Sequence, residues 1–214
     1  MSTDIRQGVW SIIVAGGSGT RYGAVKQFAD LGGRRVIDWA VRAAASVSEG
    51  VVVVVPEPAI EHESAQPSVA AAVQGGATRS ESVRCGLAEV PESASVVLVH
   101  DAARPLASPE LFRQVLAPLE TGADAAIPVV AVADSLRTVD GEVVDREKLV
   151  AVQTPQAFTA KVLREAHRED PVATDDASLV SAAGRTVAHV DGEVTNIKIT
   201  SHSDILVAEA LLRR

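Results

Sequence analysis

The run VVVVVP, Val51 to Pro56, constrains the fold more than any other stretch of the chain. A strand with one wet face alternates apolar and polar residues. Consecutive β-branched residues leave no wet face, which is the pattern of a strand covered on both sides, as in a parallel sheet flanked by helices. Similar runs alternate with helical ones along the chain. Val9 to Val14, Ser95 to Asp101 and Asp124 to Val130 read as strands. Val36 to Ala45, Arg79 to Val90, Lys161 to Arg168, Thr174 to Ala183 and Ser203 to Leu212 read as helices, and Pro67 to Val73 as a short one. Thr174 or Asp175 caps the fourth of these, and Ser203 and Asp204 stand where the last begins. Ser108 caps a further helix with Pro109 at its first position. Ala151 to Phe158 reads as a bend or short strand, and TVAHVDG and NIKITS as late strands. The alternation predicts a three-layer α/β fold with a mainly parallel sheet. The 214 residues are expected to form one domain, 1–214.

Composition narrows the function classes. Apolar residues make up 47% of the chain and aromatics 3%, so the core is expected to be Val, Ala, Leu and Ile. A formal net charge of −8 argues against nonspecific nucleic-acid binding, which depends on Lys and Arg neutralising phosphates. It leaves room for a small anionic substrate, which needs only a few local cations. The termini lack the pattern of a signal peptide, and no run is long enough to span a bilayer. Cys85 is alone, so no internal disulfide is possible. A cytoplasmic protein without a membrane or nucleic-acid partner is expected.

One section breaks the rhythm. Asp134 to Leu149 is polar and reads as two short strands around an Asp140-Gly141 turn, a strong hairpin signal. A projecting arm that holds a partner subunit and a hairpin lying on its own monomer both account for it.

Four segments carry candidate chemistry. In the first, SIIVAGGSGTRYGAVKQFADLGG (Ser11 to Gly33), a strand runs into Gly16, Gly17 and Gly19, with Arg21 and Lys26 beyond. Glycines let backbone N–H groups approach a ligand closely, and two cations just past such a turn suit a polyphosphate. The loop matches neither the P-loop nor the dinucleotide-binding fingerprint. The plainer alternative makes both cations solvated surface residues. In the second, VLVHDAARP, Asp101 lies just past a buried strand, where open α/β sheets place ligands. It can hold Mg²⁺ through oxygen or cap the next turn, and Arg104 three residues on can meet a second phosphate. His100 reads as structural. In the third, QGGATRSESVRCGL, Gly75-Gly76 makes a close-approach loop before a helix, and Arg79 and Ser82 sit near that helix start. Taken alone, Ser80 or Ser82 would be an ordinary cap. In the fourth, TNIKITSHSD, Lys198 stands between Ile197 and Ile199. If those two face the core, Lys198 faces the other way.

Together, AGGSGTR…KQ, GG..R..SV, HDAARP, TPQ, TDDA and NIKIT resemble the 2-C-methyl-D-erythritol 4-phosphate cytidylyltransferase family, in its order and at its spacing. The resemblance implies a Rossmann-like nucleotidyltransferase fold and a homodimer locked by crossed β-arms, here at about residues 132–153. It implies CTP and a polyol phosphate as substrates and Mg²⁺ or another divalent cation as cofactor. By motif, Arg21 and Lys26 would grip the triphosphate, with Gly17 and Gly19 in the same loop. Asp101 would serve the metal and the polyol, and Arg104 and Lys198 the acceptor or its phosphate. Ser135 and Arg146 would reach the neighbouring subunit's acceptor site, which Thr154 and Thr174 would also border. Ala15, Gly16, Gly76 and Ser82 would line the cytosine pocket. Ala15-Gly16 stands where Ala-Ala is common, Tyr22 where Met is common, Ser135 for Thr and Thr195 for Asp; none of these removes a charged catalytic group. The implied reaction is transfer of CMP from CTP to 2-C-methyl-D-erythritol 4-phosphate with release of pyrophosphate. The ribitol-5-phosphate cytidylyltransferases share most of these motifs and are the nearest rival. Nucleotidyltransferases acting on sugar 1-phosphates or on molybdopterin cofactor are more distant, and a non-catalytic nucleotide-binding protein on the same scaffold is the remaining alternative.

Overall fold

The computed structural model describes residues 7–16 and 26–213. In chain order the elements are β1 (Val9–Val14), the pair β2 (Asp30–Leu31) and β3 (Arg34–Arg35), α1 (Val36–Ala45), β4 (Gly50–Val55), α2 (Ile60–Ser64), β5 (Ala71–Gln74), α3 (Arg79–Glu89), β6 (Val96–Asp101), α4 (Pro109–Glu120) and β7 (Ala125–Ala131). The hairpin strands β8 (Leu136–Arg137) and β9 (Val143–Val144) follow, then β10 (Val150–Val152), β11 (Gln156–Thr159), α5 (Ala160–Ala166), α6 (Asp176–Ala182), β12 (Val187–Asp191) and α7 (His202–Leu212).

The main sheet runs β7–β11–β6–β1–β4–β5, with β12 parallel to β7 and β10 antiparallel to it. β1 pairs in parallel with both β4 and β6, so Val14 stands beside Val54 on one side and Asp101 on the other. The antiparallel insertion is β11, between β6 and β7. β4 is buried along its whole length, as its continuous valines require. Its faces serve two cores. Val51, Val53 and Val55 join Ile13 and Leu98 against α1 and α4. Val52 and Val54 join Ile12, Val97 and Val99 against α3, α5 and α6. That is the expected three-layer arrangement, and no helix among the described residues is long and apolar enough to cross a membrane.

Two element readings are corrected. Pro67 to Val73 is not a helix; Ala71–Gln74 is β5, paired in parallel with β4 from Val52↔Ala71 to Val55↔Gln74. Two alanines favour helix locally, but the open edge of a buried strand needs hydrogen-bond partners, and that tertiary demand prevails. NIKITS is not a strand either. Residues 196–200 have no regular structure, and Ile199 N–H meets Ala103 O at 2.8 Å without a continuing ladder. The alternation survives without the strand: Ile199 is fully buried, while the Lys198 side chain is 43% exposed. Isolated backbone bonds and the side-chain bonds described below hold this segment.

The Asp134–Leu149 section is a hairpin, as the Asp-Gly turn predicts. Leu136 pairs with Val144 and Arg137 with Val143, and Gly141 takes φ +100°, a conformation that suits glycine. Its side chains are almost all exposed, and Val139 and Val143 point to solvent.

Candidate active site

The C-terminal ends of β1, β5 and β6 open onto a cavity of about 520 Å³, where a parallel sheet presents ligands. Ala15 and Gly16 continue β1 into its wall. Gly76 to Arg79 and Ser82 form the β5–α3 side, Asp101 to Ala103 end β6, and Lys26 and Lys198 arrive from opposite ends of the chain.

Two glycines let the walls meet. A Cβ on Gly16 would lie 3.2 Å from Gly75 Cα, and one on Gly75 would lie 3.1 Å from Gly16 Cα. The two backbones touch because neither carries a side chain. Thr78, rather than Ser80 or Ser82, caps α3; its hydroxyl accepts Glu81 N–H at 3.1 Å. That frees Ser82, whose hydroxyl donates to Thr78 O at 2.9 Å and accepts Gly76 N–H at 3.2 Å. Ser80 instead ties α3 to the distant Ala173.

Charge in the cavity is organised as a chain. Lys198 Nζ lies 2.7 Å from Asp101 Oδ2, and Arg79 Nε lies 3.1 Å from Asp101 Oδ1. Arg79 Nη1 reaches Asp176 Oδ2 at 2.7 Å, and His167 Nε2 meets Asp176 Oδ1 at 2.9 Å. Burial by itself raises the Asp101 carboxyl, but Arg79 and Lys198 outweigh it and hold the group well below the usual carboxylate range. Burial likewise opposes the Arg79 charge, and Asp101 and Asp176 more than restore it. Arg79 Nη2 is buried and has no hydrogen-bond partner among the described residues. Asp101 therefore does not act as a turn cap; both its oxygens face cations.

A second chain fixes the Asp101 backbone. His100 is fully buried, and that burial lowers its pKa to about 4, so the ring is neutral. Its Nε2 stands 3.1 Å from Arg104 O, which can only accept, so Nε2 carries the hydrogen. Nδ1 then accepts from the Thr154 hydroxyl at 3.0 Å, and that hydroxyl accepts Asp101 N–H at 3.1 Å. His100 is structural, as its sequence context suggests, with two partners that only the fold supplies.

The candidate residues divide as follows. Ala15, Gly16, Lys26, Gly76, Ser82, Asp101 and Lys198 line one cavity. Gly17, Gly19 and Arg21 lie outside the described residues. Lys26 Nζ donates to Ile199 O at 2.8 Å, beside Lys198 in sequence. Thr154 is buried just behind Asp101. Arg104 turns away from the cavity wall and donates to Asn196 O at 2.8 Å and Val152 O at 3.3 Å. Thr174 is exposed. Ser135 and Arg146 are exposed on the arm, and Arg146 donates to Ala133 O. None of Arg104, Thr174, Ser135 and Arg146 is among the residues lining the cavity.

Sequence reading gave Arg79 only a place near a helix start and missed Asp176, His167, Gln153 and Asn196. The TDDA motif was a signal for Asp176: Asp175 caps α6 through Ser178 N–H at 2.7 Å, which leaves the second aspartate free to turn inward. For His167 no local signal exists.

Among the described residues, Asp101 is the acidic one on the cavity wall, and no cluster of three or more metal-ligating side chains occurs. That donor set fits Mg²⁺ bound through one carboxylate plus substrate phosphates, and does not make an all-protein metal cage.

Comparison with known proteins adds one consistent set of relatives. The IspD family profile, described as 2-C-methyl-D-erythritol 4-phosphate cytidylyltransferase, matches residues 9–214. A protein of that name from Rhodococcus opacus is 45% identical over 95% of this chain and 95% of its own. One from Nocardia farcinica is 42% identical over 96% of this chain and 94% of its own. The crystal structure of the enzyme of that name from Thermus thermophilus superposes with a TM-score of 0.82 at 38% identity, covering 95% of this chain and 98% of the other.

Proposed function

This chain belongs to the 2-C-methyl-D-erythritol 4-phosphate cytidylyltransferase family, and from that membership we infer how its cavity works. The chain is a nucleotidyltransferase of isoprenoid biosynthesis: it moves CMP from CTP to 2-C-methyl-D-erythritol 4-phosphate and releases pyrophosphate. The relatives do not favour ribitol 5-phosphate as the acceptor.

In the proposed mechanism an oxygen of the acceptor phosphate attacks the α-phosphorus of CTP in line. A new P–O bond forms as the bond to the bridging oxygen breaks, and that electron pair leaves with pyrophosphate. The attacking phosphate is already anionic at neutral pH, so no general base is required. The obstacle is the gathering of negative charge in one place. Lys26 and Lys198 neutralise it, together with Arg21 as the family motif implies, while Ala15, Gly16, Gly76 and Ser82 present backbone and hydroxyl groups to the nucleotide; Gly17 and Gly19 are assigned to the nucleotide by the motif alone. Arg79 anchors Asp101. Mg²⁺, held by Asp101 and phosphate oxygens, would supply further charge neutralisation when bound. The observation that carries this reading is the meeting of Lys26, Asp101 and Lys198 on one cavity at the strand ends.

The acceptor end involves a second subunit in this reading. Ser135 and Arg146 are exposed on the arm and do not line their own chain's cavity; in this reading they would complete a partner's site in a homodimer, beside Arg104, Thr154 and Thr174. The setting would be the cytoplasm.

The test is pyrophosphate release from CTP with 2-C-methyl-D-erythritol 4-phosphate and, separately, with ribitol 5-phosphate, each with and without added Mg²⁺. Release with the first acceptor in the presence of metal is expected. Release only with ribitol 5-phosphate would overturn the acceptor assignment, and undiminished release in a chelator would overturn the metal.

A further inference from the structure

Lys198 has to be held in place, yet the segment that carries it belongs to no sheet. Between the end of β12 at Asp191 and the start of α7 at His202 the chain is irregular. Next to Lys198, Ile199 N–H meets Ala103 O and Ile199 O accepts Lys26 Nζ, and upstream of it two side-chain amides supply bonds that a ladder would otherwise make. Gln153 is buried, and its Nε2 donates to Glu193 O at 2.8 Å while its Oε1 accepts Glu193 N–H at 3.1 Å. That pair of bonds to one residue's N–H and C=O is what a neighbouring strand would make. Asn196 is fully buried, and its Nδ2 donates to Gln153 Oε1 at 3.2 Å and to Thr154 O at 2.9 Å.

We propose that the Gln153–Asn196 amide pair is a positioning device for Lys198, clamping its segment to the same short turn that holds Asp101. Gln153 and Thr154 are adjacent. Thr154 fixes the Asp101 backbone through its hydroxyl and the Lys198 segment through its carbonyl. The two charged groups that meet at 2.7 Å are thus hung from one turn of backbone. Arg104 reinforces the clamp by donating to Asn196 O. Neither amide lines the cavity, so both act through Lys198 and not on substrate. The turn also follows β10 directly, so the strand leaving the arm ends where both groups are fastened.

This inference rests on Lys198 serving the transfer, and a double-mutant cycle tests it. Asn196→Ala in the wild-type background is expected to lower kcat/KM about tenfold, as for loss of one positioning hydrogen bond. In a Lys198→Ala background the same change is expected to cost less than about twofold, because nothing remains to position. Amide hydrogen exchange across residues 193–199 is expected to accelerate while exchange in β1 and β4 stays unchanged. Gln153→Met keeps the side-chain length and serves the same cycle if Asn196→Ala does not fold. Wild-type activity in the folded variant, an equal loss in the Lys198→Ala background, or unchanged exchange in residues 193–199 would each overturn the proposal. If wild-type protein failed to turn over CTP and acceptor, the functional reading would fall, and the exchange experiment would still decide whether the amides hold the segment.

Discussion

Lys198 Nζ and Asp101 Oδ2 lie 2.7 Å apart although 97 residues separate them in the chain. The lysine is 43% exposed and the aspartate 12%, so the pair sits at the lip of the cavity with its anion inside. In the proposed mechanism an incoming polyphosphate would compete with Asp101 for the lysine, and Arg79, 3.1 Å from Asp101 Oδ1, would keep Asp101 partnered.

Removing a cavity cation is expected to harm turnover far more than folding. Lys26→Ala and Lys198→Ala should each lower kcat by about 10²–10³, the scale seen when one charge-stabilising donor is removed from an active site. The lysine end of this pair is 43% exposed and Asp101 keeps Arg79 as a partner, so Lys198→Ala is expected to cost about 1 kcal/mol of stability, far less than its effect on turnover. Pyrophosphate-release kinetics alongside thermal melts check both. Full turnover in either variant would remove that lysine from the mechanism.

Asp176→Ala should act in the opposite sense, with stability falling first. Asp176 is fully buried between Arg79 and His167, and its loss leaves a largely buried guanidinium with one partner fewer. Breaking a buried pair from one side costs about 3–5 kcal/mol, so a drop toward the lower end of that range is expected in urea unfolding. A change below about 1 kcal/mol would show that the buried link is dispensable.

The His100 ring predicts an acid-sensitive fold. Its folded pKa is lowered to about 4 from the ordinary value of 6.5, so between those values the unfolded chain binds a proton that the folded chain refuses. Stability is therefore complete above about pH 6.5 and declines as pH falls toward 4, by about 3 kcal/mol from this group. Urea unfolding across that window should show the slope in wild type and a flatter profile in His100→Gln. Parallel slopes in the two proteins would place the acid sensitivity elsewhere.

The arm can be tested by mixing inactive chains. Homodimers of Lys26→Ala and of Arg146→Ala are each expected to be nearly inactive. Unfolded together and refolded, they should regain part of the wild-type activity, because one site of each hybrid would combine an intact Lys26 with an intact Arg146. Recovery no greater than the sum of the separate variants would mean that Arg146 acts within its own chain or not at all.

Legibility in the sequence followed the range of the forces involved. The strands β1, β4 and β6 and the helices α1, α3 and α4 were readable because burial on both faces, apolar periodicity and capping are written over a few consecutive residues. Asp140-Gly141 announced its hairpin for the same reason. β5 misled because Ala71 and Ala72 carry no strong preference, and only the edge of β4 makes them a strand. NIKITS misled because its alternation of faces is real while no strand runs beside it: the Arg104 and Lys26 side chains meet the Asn196 and Ile199 carbonyls, and Ile199 N–H meets Ala103 O without a continuing ladder.

In the candidate site, residue types and their order were legible, and partnerships were not. Motifs identified Lys26, Asp101 and Lys198 as charged groups in or beside candidate ligand loops, which a chain of local chemistry can specify by itself. That Lys198 faces Asp101, that Arg79 divides its charge between Asp101 and Asp176, and that Arg104 turns to the backbone of Asn196 depend on groups 22 to 97 residues apart. Side chains so distant in sequence meet only because β1, β5 and β6 end at one edge of the sheet, and that common edge is a product of strand order, which tertiary packing alone decides.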